Sequence, residues 1–339
     1  MTVPTNPHLL VVGAGSVGRR HARNFAELSC TISAVDPRAD RRDEIASEVD
    51  VVSAFESLEA ALERGPFDAA IITSPTSFHV DQAVTALGAG LPVYLEKPPA
   101  ADLGGARQIS DAAARADLPV LLGYTWRWWP ALIHLRELLE SGEIGRVRHV
   151  RCSLSAHLAD WHPYERYQDF FMSSEALGGG ALLDESHWID LTIWLLGMPN
   201  DVFASIATIS DLEIDSDDNV DMILRYTDGA HVVLHLDIHG RPHERSLTVS
   251  GESGTLAWTD SPNAVRIGRN ADDWTSTEFP NQRNDMFVAA AEEFLAVLAG
   301  RATPTCGPND GLRVMRVIDA ARQSNATGQV ITLDDDVDR

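Results

Sequence analysis

The segment HLLVVGAGSVGRRHARNFAEL constrains the fold more than any other in the chain. Four apolar residues, Leu9 to Val12, have the length of a buried strand. Gly13, Gly15 and Gly18 follow in G-x-G-x-x-G spacing, with Ser16 and Val17 inside the same loop, and a stretch of helical composition comes next. Gly13 permits a tight turn, Gly15 lets the backbone approach a pyrophosphate, and Gly18 lets helix and strand pack closely. Free N–H groups at the start of the helix then hold phosphates. A second apolar strand, TISAVD, ends in Asp36, 23 positions after Gly13. A carboxylate there accepts hydrogen bonds from adenosine ribose hydroxyls and repels a 2′-phosphate. Strand, glycines, helix, strand and acid, in that order, predict a dinucleotide site. Asp36 favours NAD; Arg38, a nearby guanidinium able to pair with a phosphate, leaves NADP open.

The alternation continues through DVVSAF, SLEAALER, FDAAIITSP, TSFHVDQAVTALGAG, LPVYLEKP, ADLGGARQISDAAARAD and LPVLLGYTWR. Strands alternating with helices at this spacing predict a doubly wound parallel sheet. Ligands of such sheets bind at the carboxyl ends of the strands. The segments that follow those ends are Gly13–Gly18, Asp36, the run from Thr73, Ser74 and Pro75 to His79, Glu96 to Pro98, and Tyr124 to Arg127.

One of these segments contains Lys97. The chain has 27 basic lysine and arginine residues, and Lys97 is its one lysine. A solvated surface position does not require lysine in a chain that uses arginine elsewhere. A compact ammonium that can lose its proton when desolvated is something a guanidinium cannot replace. Lys97 is therefore the first candidate for chemistry beside a bound cofactor.

Length and composition set the frame. A chain of 339 residues suggests two domains. A net charge of −23 repels nucleic acid and anionic membranes, so neither is an expected partner. No apolar run is long enough to span a membrane, and the N-terminal residues do not read as a signal peptide. Cys30, Cys152 and Cys306 are far apart and odd in number, which argues against a disulfide framework or a zinc site. No metal is expected, and a cytoplasmic location is.

The chain resembles the glucose–fructose oxidoreductase / inositol dehydrogenase / MocA family along nearly its whole length. The resemblance is carried by VVGAGSVGRRH, AAIITSPTSFHVDQAVTALGAGLPVYLEKP, GYTWRWWPALIHLRELLESGEIGRV, GGGALLDESHWIDLTIWLLG and DGLRVMRVIDAARQSNATGQVITL. It implies an α/β fold: an N-terminal Rossmann domain, taken as residues 1–123, and a C-terminal α/β domain, 124–339, with an open, mostly antiparallel sheet. The last helix is able to pack back on the first domain. The outer face of the sheet is expected to make a homodimer or homotetramer. The resemblance also implies that Lys97 lies by the nicotinamide and polarises the reacting oxygen, with Glu96 and Pro98 positioning it. His79 matches a recurrent histidine near the cofactor, and Arg127 matches an arginine after the sixth strand and is expected to bind substrate.

In the C-terminal part, Gly178, Gly179 and Gly180 read as a close-approach loop, and a helix is expected from Glu185 to Leu196. His187, Asp190, Leu191 and Trp194 would share one face of it. A histidine with two carboxylates suits general acid–base work near neutral pH. Asp184 reads either as a cap or as the partner of His187. The family often has an aspartate four residues before this histidine, whereas Asp184 is three before, so Asp184 and Asp190 both stand as the carboxylate. Trp161 is the candidate for stacking on a sugar face, with His162, Tyr164 and Arg166 as polar contacts; Trp194 is expected in the core.

The expected reaction is hydride transfer between NAD and a secondary alcohol of a sugar, cyclitol or sugar derivative. His187, aided by Asp184, takes the hydroxyl proton, and Lys97 stabilises the oxyanion. Two alternatives are a glycoside hydrolase that uses NAD transiently and a non-enzymatic dinucleotide-binding sensor.

Overall fold

The computed structural model describes residues 6–161 and 165–333. The chain divides into two compact units, Met1–Trp128 with Gln282–Leu312, and Trp129–Asn281 with Arg313–Arg339.

The first unit holds six strands: β1 (His8–Val12), β2 (Thr31–Val35), β3 (Val51–Phe55), β4 (Ala69–Ile72), β5 (Val93–Leu95) and β6 (Val120–Leu122). They form one sheet in the order β3-β2-β1-β4-β5-β6, and every pairing is parallel. The order reverses between β1 and β4, which makes their carboxyl ends the switch point where such sheets bind ligands. Leu9 to Val12 and Ala69 to Ile72 are almost wholly buried, as parallel strands covered on both faces must be.

The connections include α1 (Ser16–Glu27), α2 (Ala39–Glu48), α3 (Leu58–Leu62), α4 (His79–Gly88) and α5 (Leu103–Ala116). The buried face of α1 carries Gly18, His21, Ala22 and Phe25, spaced i, i+3, i+4 and i+7. Asp102 caps α5 through a bond from the Gly105 N–H (2.8 Å). The helix Asp285–Leu298 also belongs to this unit, and its Phe294 meets Phe25 and Tyr94 edge-on at 6.2 and 5.7 Å.

The second unit contains α6 (Pro130–Glu140), β7 (Val147–Ser155), α7 (Ala181–Asp184) and α8 (His187–Leu196). Eight more strands follow: β8 (Asp201–Ala207), β9 (Asn219–Arg225), β10 (His231–Asp237), β11 (Glu244–Gly251), β12 (Thr255–Asp260), β13 (Asn263–Asn270), β14 (Asp273–Glu278) and β15 (Ile331–Thr332). The sheet order is β14-β13-β12-β11-β7-β10-β9-β8-β15. It is mostly antiparallel, but β7 runs parallel to β10. The reason is topological: β7 is inserted between β10 and β11, is antiparallel to β11, and therefore matches β10.

Alternation along these strands sorts the two faces. Val232, Leu234 and Leu236 of β10 are buried, while His231 and Val233 are exposed. On the buried side Trp188 of α8 meets Trp258 at 6.2 Å, and Trp129 meets the same ring at 6.4 Å. On the other side Phe203, Ile223, Val233 and Arg151 fall in one cross-strand row. Among the described residues no helix is long and apolar enough to cross a membrane.

Candidate active site

In the first unit the glycine loop is built as its spacing predicts. Gly13 has φ +98°, and a Cβ there would come within 2.7 Å of the Ser74 nitrogen. A Cβ on Gly18 would overlap the Gly13 carbonyl and approach Thr73 Oγ1 at 2.8 Å. Thr73 locks this contact by donating to the carbonyls of Gly13 (2.7 Å) and Val12 (3.1 Å). Ser74 donates to Gln82 (2.5 Å), and Pro75 leads into the short helical turn before α4. Gly15 differs from its two partners, because a Cβ there would meet nothing within 4 Å. Gly15 is also the N-cap residue of α1, with no side-chain cap and no acid in the first turn. An open approach to uncapped N–H groups is what a pyrophosphate requires.

Asp36 closes the cradle. Its Oδ2 accepts from the Ala14 N–H (2.8 Å) and its Oδ1 from the Arg38 N–H (2.9 Å). The Arg38 side chain turns away and forks onto Asp40 at 3.1 and 2.5 Å. The carboxylate is thus fixed at the end of β2 and the guanidinium is engaged. Both features favour a free ribose over a phosphorylated one.

Lys97 follows β5 and is half-buried. Glu96 before it is buried; it accepts from the Lys97 N–H at 3.3 Å and lies 2.7 Å from Nε2 of His21. Burial pushes the Glu96 carboxyl up, but His21 and Lys97 together outweigh it and hold the group below the usual carboxylate range. His79, 1% exposed, places Nδ1 2.8 Å from the Pro98 carbonyl and Nε2 2.9 Å from the Ser74 carbonyl. Burial lowers its proton affinity, with the two carbonyls working against that effect. A neutral ring donates to one carbonyl at a time. His79 thus faces one carbonyl of the loop after β4 and one of the loop after β5, and its single N–H bonds one of them. Arg127 is also buried; its guanidinium donates to the Thr305 carbonyl (2.9 Å) and pairs with Asp310 (3.2 Å), fixing the segment 282–312.

In the second unit the glycine run has an internal cause. A Cβ on Gly179 would overlap the carbonyls of Phe171 and Met172, and one on Gly180 would overlap the Asp217 carboxylate. Asp217 caps α7: its carboxylate accepts from the Leu182 N–H (2.8 Å) and its carbonyl from the Ala181 N–H (2.9 Å). Asp184 ends α7, Ser186 is the N-cap residue of α8, and His187 is its first residue. The helix thus starts at His187, two residues later than expected, and Asp184 is not its cap. Because Asp184 and His187 belong to different helices, the rotation per residue of a single helix does not set their relation. Asp184, Glu185 and Asp190 are buried and His187 is half-buried.

Trp161 is half-buried, and its indole N–H has no acceptor among the described residues. The neighbouring turn is held by Arg241, which forks onto Asp160 at 2.6 and 2.9 Å. His162 and Tyr164 lie outside the described residues. Arg166 is exposed. Trp194, expected in the core, is only partly buried, with the Arg136 guanidinium 4.6 Å from its ring centre. Among the described residues no three His, Cys, Asp or Glu side chains are arranged to hold a metal.

His21 was not legible as a site residue. The available signal was its place three residues after Gly18, on the buried face of α1, where a polar side chain needs a partner.

Residues 8–124 match an oxidoreductase family with an NAD-binding Rossmann fold, and residues 132–257 match the GFO/IDH/MocA C-terminal domain. The chain is 30% identical to the rhizopine catabolism protein MocA of Rhizobium meliloti over 330 residues, covering 94% of this chain and 95% of that one. It is 26% identical to D-xylose 1-dehydrogenase (NADP(+)) 2 of Haloferax volcanii, covering 87% and 89%. The fold is shared with the WlbA dehydrogenase from Bordetella pertussis, crystallised with NADH and UDP-GlcNAcA, at a TM-score of 0.82, 22% identity and coverage of 98% and 100%. With an NAD-binding Rossmann domain followed by this C-terminal domain, the chain belongs to the GFO/IDH/MocA family of oxidoreductases.

Proposed function

We propose that this oxidoreductase oxidises a secondary alcohol of a sugar, cyclitol or sugar derivative to a ketone, and reduces the ketone in reverse. NAD is the preferred cofactor and NADP the second choice. The observation that carries the reading is Lys97, the one lysine in the chain, at the carboxyl end of β5 in the sheet that bears the glycine loop.

The glycine loop with Ser16 and Val17, Asp36, and the run Thr73 to Pro75 hold the dinucleotide; His79 braces that run from beneath. When bound, NAD supplies the hydride acceptor. Lys97 presents its ammonium to the alcohol oxygen and stabilises the charge that develops as the proton leaves. His187 accepts that proton, and Asp184 or Asp190 steadies the imidazolium that results. Trp161 offers an apolar face and an N–H to a sugar ring, His162 and Tyr164 add polar contacts, and Arg127 acts by holding the fold around its strand end.

The sugar or cyclitol class is supported by the dehydrogenase names of relatives, including D-xylose 1-dehydrogenase and the inositol 2-dehydrogenases. A homodimer or homotetramer through the open sheet face belongs to the same reading. It is supported by Phe203, Val233 and Trp274, exposed at 38%, 36% and 39% on that face. Three free cysteines support a cytoplasmic location.

The test is a panel of polyols, aldoses, inositols and nucleotide sugars with NAD, read as NADH absorbance. Stoichiometric NADH and ketone support a dehydrogenase. Sugar release from a glycoside without net NADH would replace it with a hydrolase.

A further inference from the structure

Among the buried titratable side chains that the reaction outlined above leaves unused is a histidine on α1. His21 is wholly buried, and its Nε2 lies 2.7 Å from Oε1 of Glu96. Its Nδ1 is buried with no hydrogen-bond partner, so the hydrogen bonding of the ring is committed to Glu96. A proton on Nε2 makes that contact a donated bond and leaves only a lone pair on Nδ1, the less costly group to bury unmet.

Glu96 is gripped on two further sides. Its second oxygen accepts from the Lys97 N–H at 3.3 Å. Gly123 backs the carboxylate: a Cβ there would lie 3.0 Å from Cδ and 3.1 Å from both oxygens. The His21 ring is itself fixed by Tyr94 at 4.8 Å, Phe287 at 5.8 Å and Phe25 at 6.2 Å. A rigid ring thus sets the pose of a carboxylate, and the carboxylate sets the backbone of Lys97.

We propose that His21 is a positioning residue for Lys97, acting through Glu96. The chain of contacts runs from the buried face of α1, through the Glu96 carboxylate, to the amide of Lys97. The inference rests on the reading of Lys97 as the reacting-site ammonium, but its test does not depend on turnover.

Because the chain holds one lysine, protein grown with lysine carrying the NMR-active nitrogen isotope gives one backbone amide resonance, that of Lys97. This amide is the one that donates to Glu96. His21→Phe keeps an aromatic ring of similar size and removes the donor. His21→Gln keeps a donor near the position of Nε2. The Lys97 amide peak is expected to move in His21→Phe and to lie near its wild-type position in His21→Gln. With any alcohol that proves to be a substrate, kcat falls by up to about a hundredfold in His21→Phe and recovers in His21→Gln. An unmoved peak in His21→Phe overturns the proposal, and so does a peak displaced equally by both variants. If His21→Phe does not fold, Gly123→Ala presses on the same carboxylate from behind and must displace the same peak. An unmoved peak there also overturns the proposal. Failure of Lys97 itself to matter for turnover would instead strike at the reading of the reaction, leaving the peak shifts intact.

Discussion

Replacing Asp36 with Ala is expected to change cofactor choice by a calculable amount. The carboxylate is half-buried and is aimed by bonds from the Ala14 and Arg38 N–H groups. A hydrogen bond to a charged acceptor contributes about 1.5–3 kcal/mol, so losing one from a ribose hydroxyl weakens NADH binding about 10- to 150-fold. The effect on NADPH has the opposite sign. At about 5 Å and the effective dielectric of a protein surface, two unit charges repel by about 3 kcal/mol. Solvent and salt screening at a half-exposed carboxylate reduce this to roughly 1 kcal/mol. The ratio of NADH to NADPH affinity therefore falls by about 50- to 800-fold. Arg38 adds little at first, because Asp40 holds its guanidinium at 3.1 and 2.5 Å. Asp36→Ala with Asp40→Ala frees it and strengthens NADPH further. The assay is fluorescence titration of NADH and NADPH against wild type and both variants. An unchanged NADH affinity and an unchanged ratio in Asp36→Ala would refute the assignment of the cradle.

Two further predictions concern stability. Gly180 has φ +110° and ψ 160°, and a Cβ there overlaps the Asp217 carboxylate that caps α7. Backbone strain and overpacking in Gly180→Ala together cost about 2–6 kcal/mol, which a thermal melt reads as a drop of about 2–4 °C per kcal/mol. His235 lies between Asp237 (3.2 Å) and Asp221 (2.8 Å), and the bond to Asp237, opposed by burial and joined by Asp221, pushes its pKa up from 6.5 to about 9. A histidine raised in this way contributes stability fully below pH 6.5 and loses it as pH rises through about 9. Melts across that window should show a decline that His235→Gln flattens.

The parts of the fold that could be read from sequence are those whose causes are local. Gly13, Gly15 and Gly18 follow a strand within one turn, and Asp36 ends the next strand, so period and glycine chemistry suffice. The end of β5 was legible because one lysine stands out against 26 arginines. What was not legible depends on residues far apart in sequence. The glycines at 179 and 180 respond to Phe171, Met172 and Asp217, which are distant in sequence or carry no signal of the contact. His21 gains its partner only when α1 is laid beside the end of β5. β7 runs parallel to β10 because the chain inserts it between two later strands. β14 is exposed along its whole length and carries no apolar alternation to mark it. The break between α7 and α8 falls in a continuous helical pattern, so the helix at His187 reads as starting earlier than it does.

The most direct test of the account is turnover by Lys97→Arg. Arginine keeps the positive charge and loses the compact ammonium, so surface electrostatics stay constant while the proposed chemistry is removed. With NAD and the alcohol that wild type oxidises fastest, removing an oxyanion donor is expected to lower kcat about 100- to 1000-fold. NADH binding should persist, because the glycine loop and Asp36 are untouched. A Lys97→Arg enzyme that forms NADH at the wild-type rate would contradict the central claim.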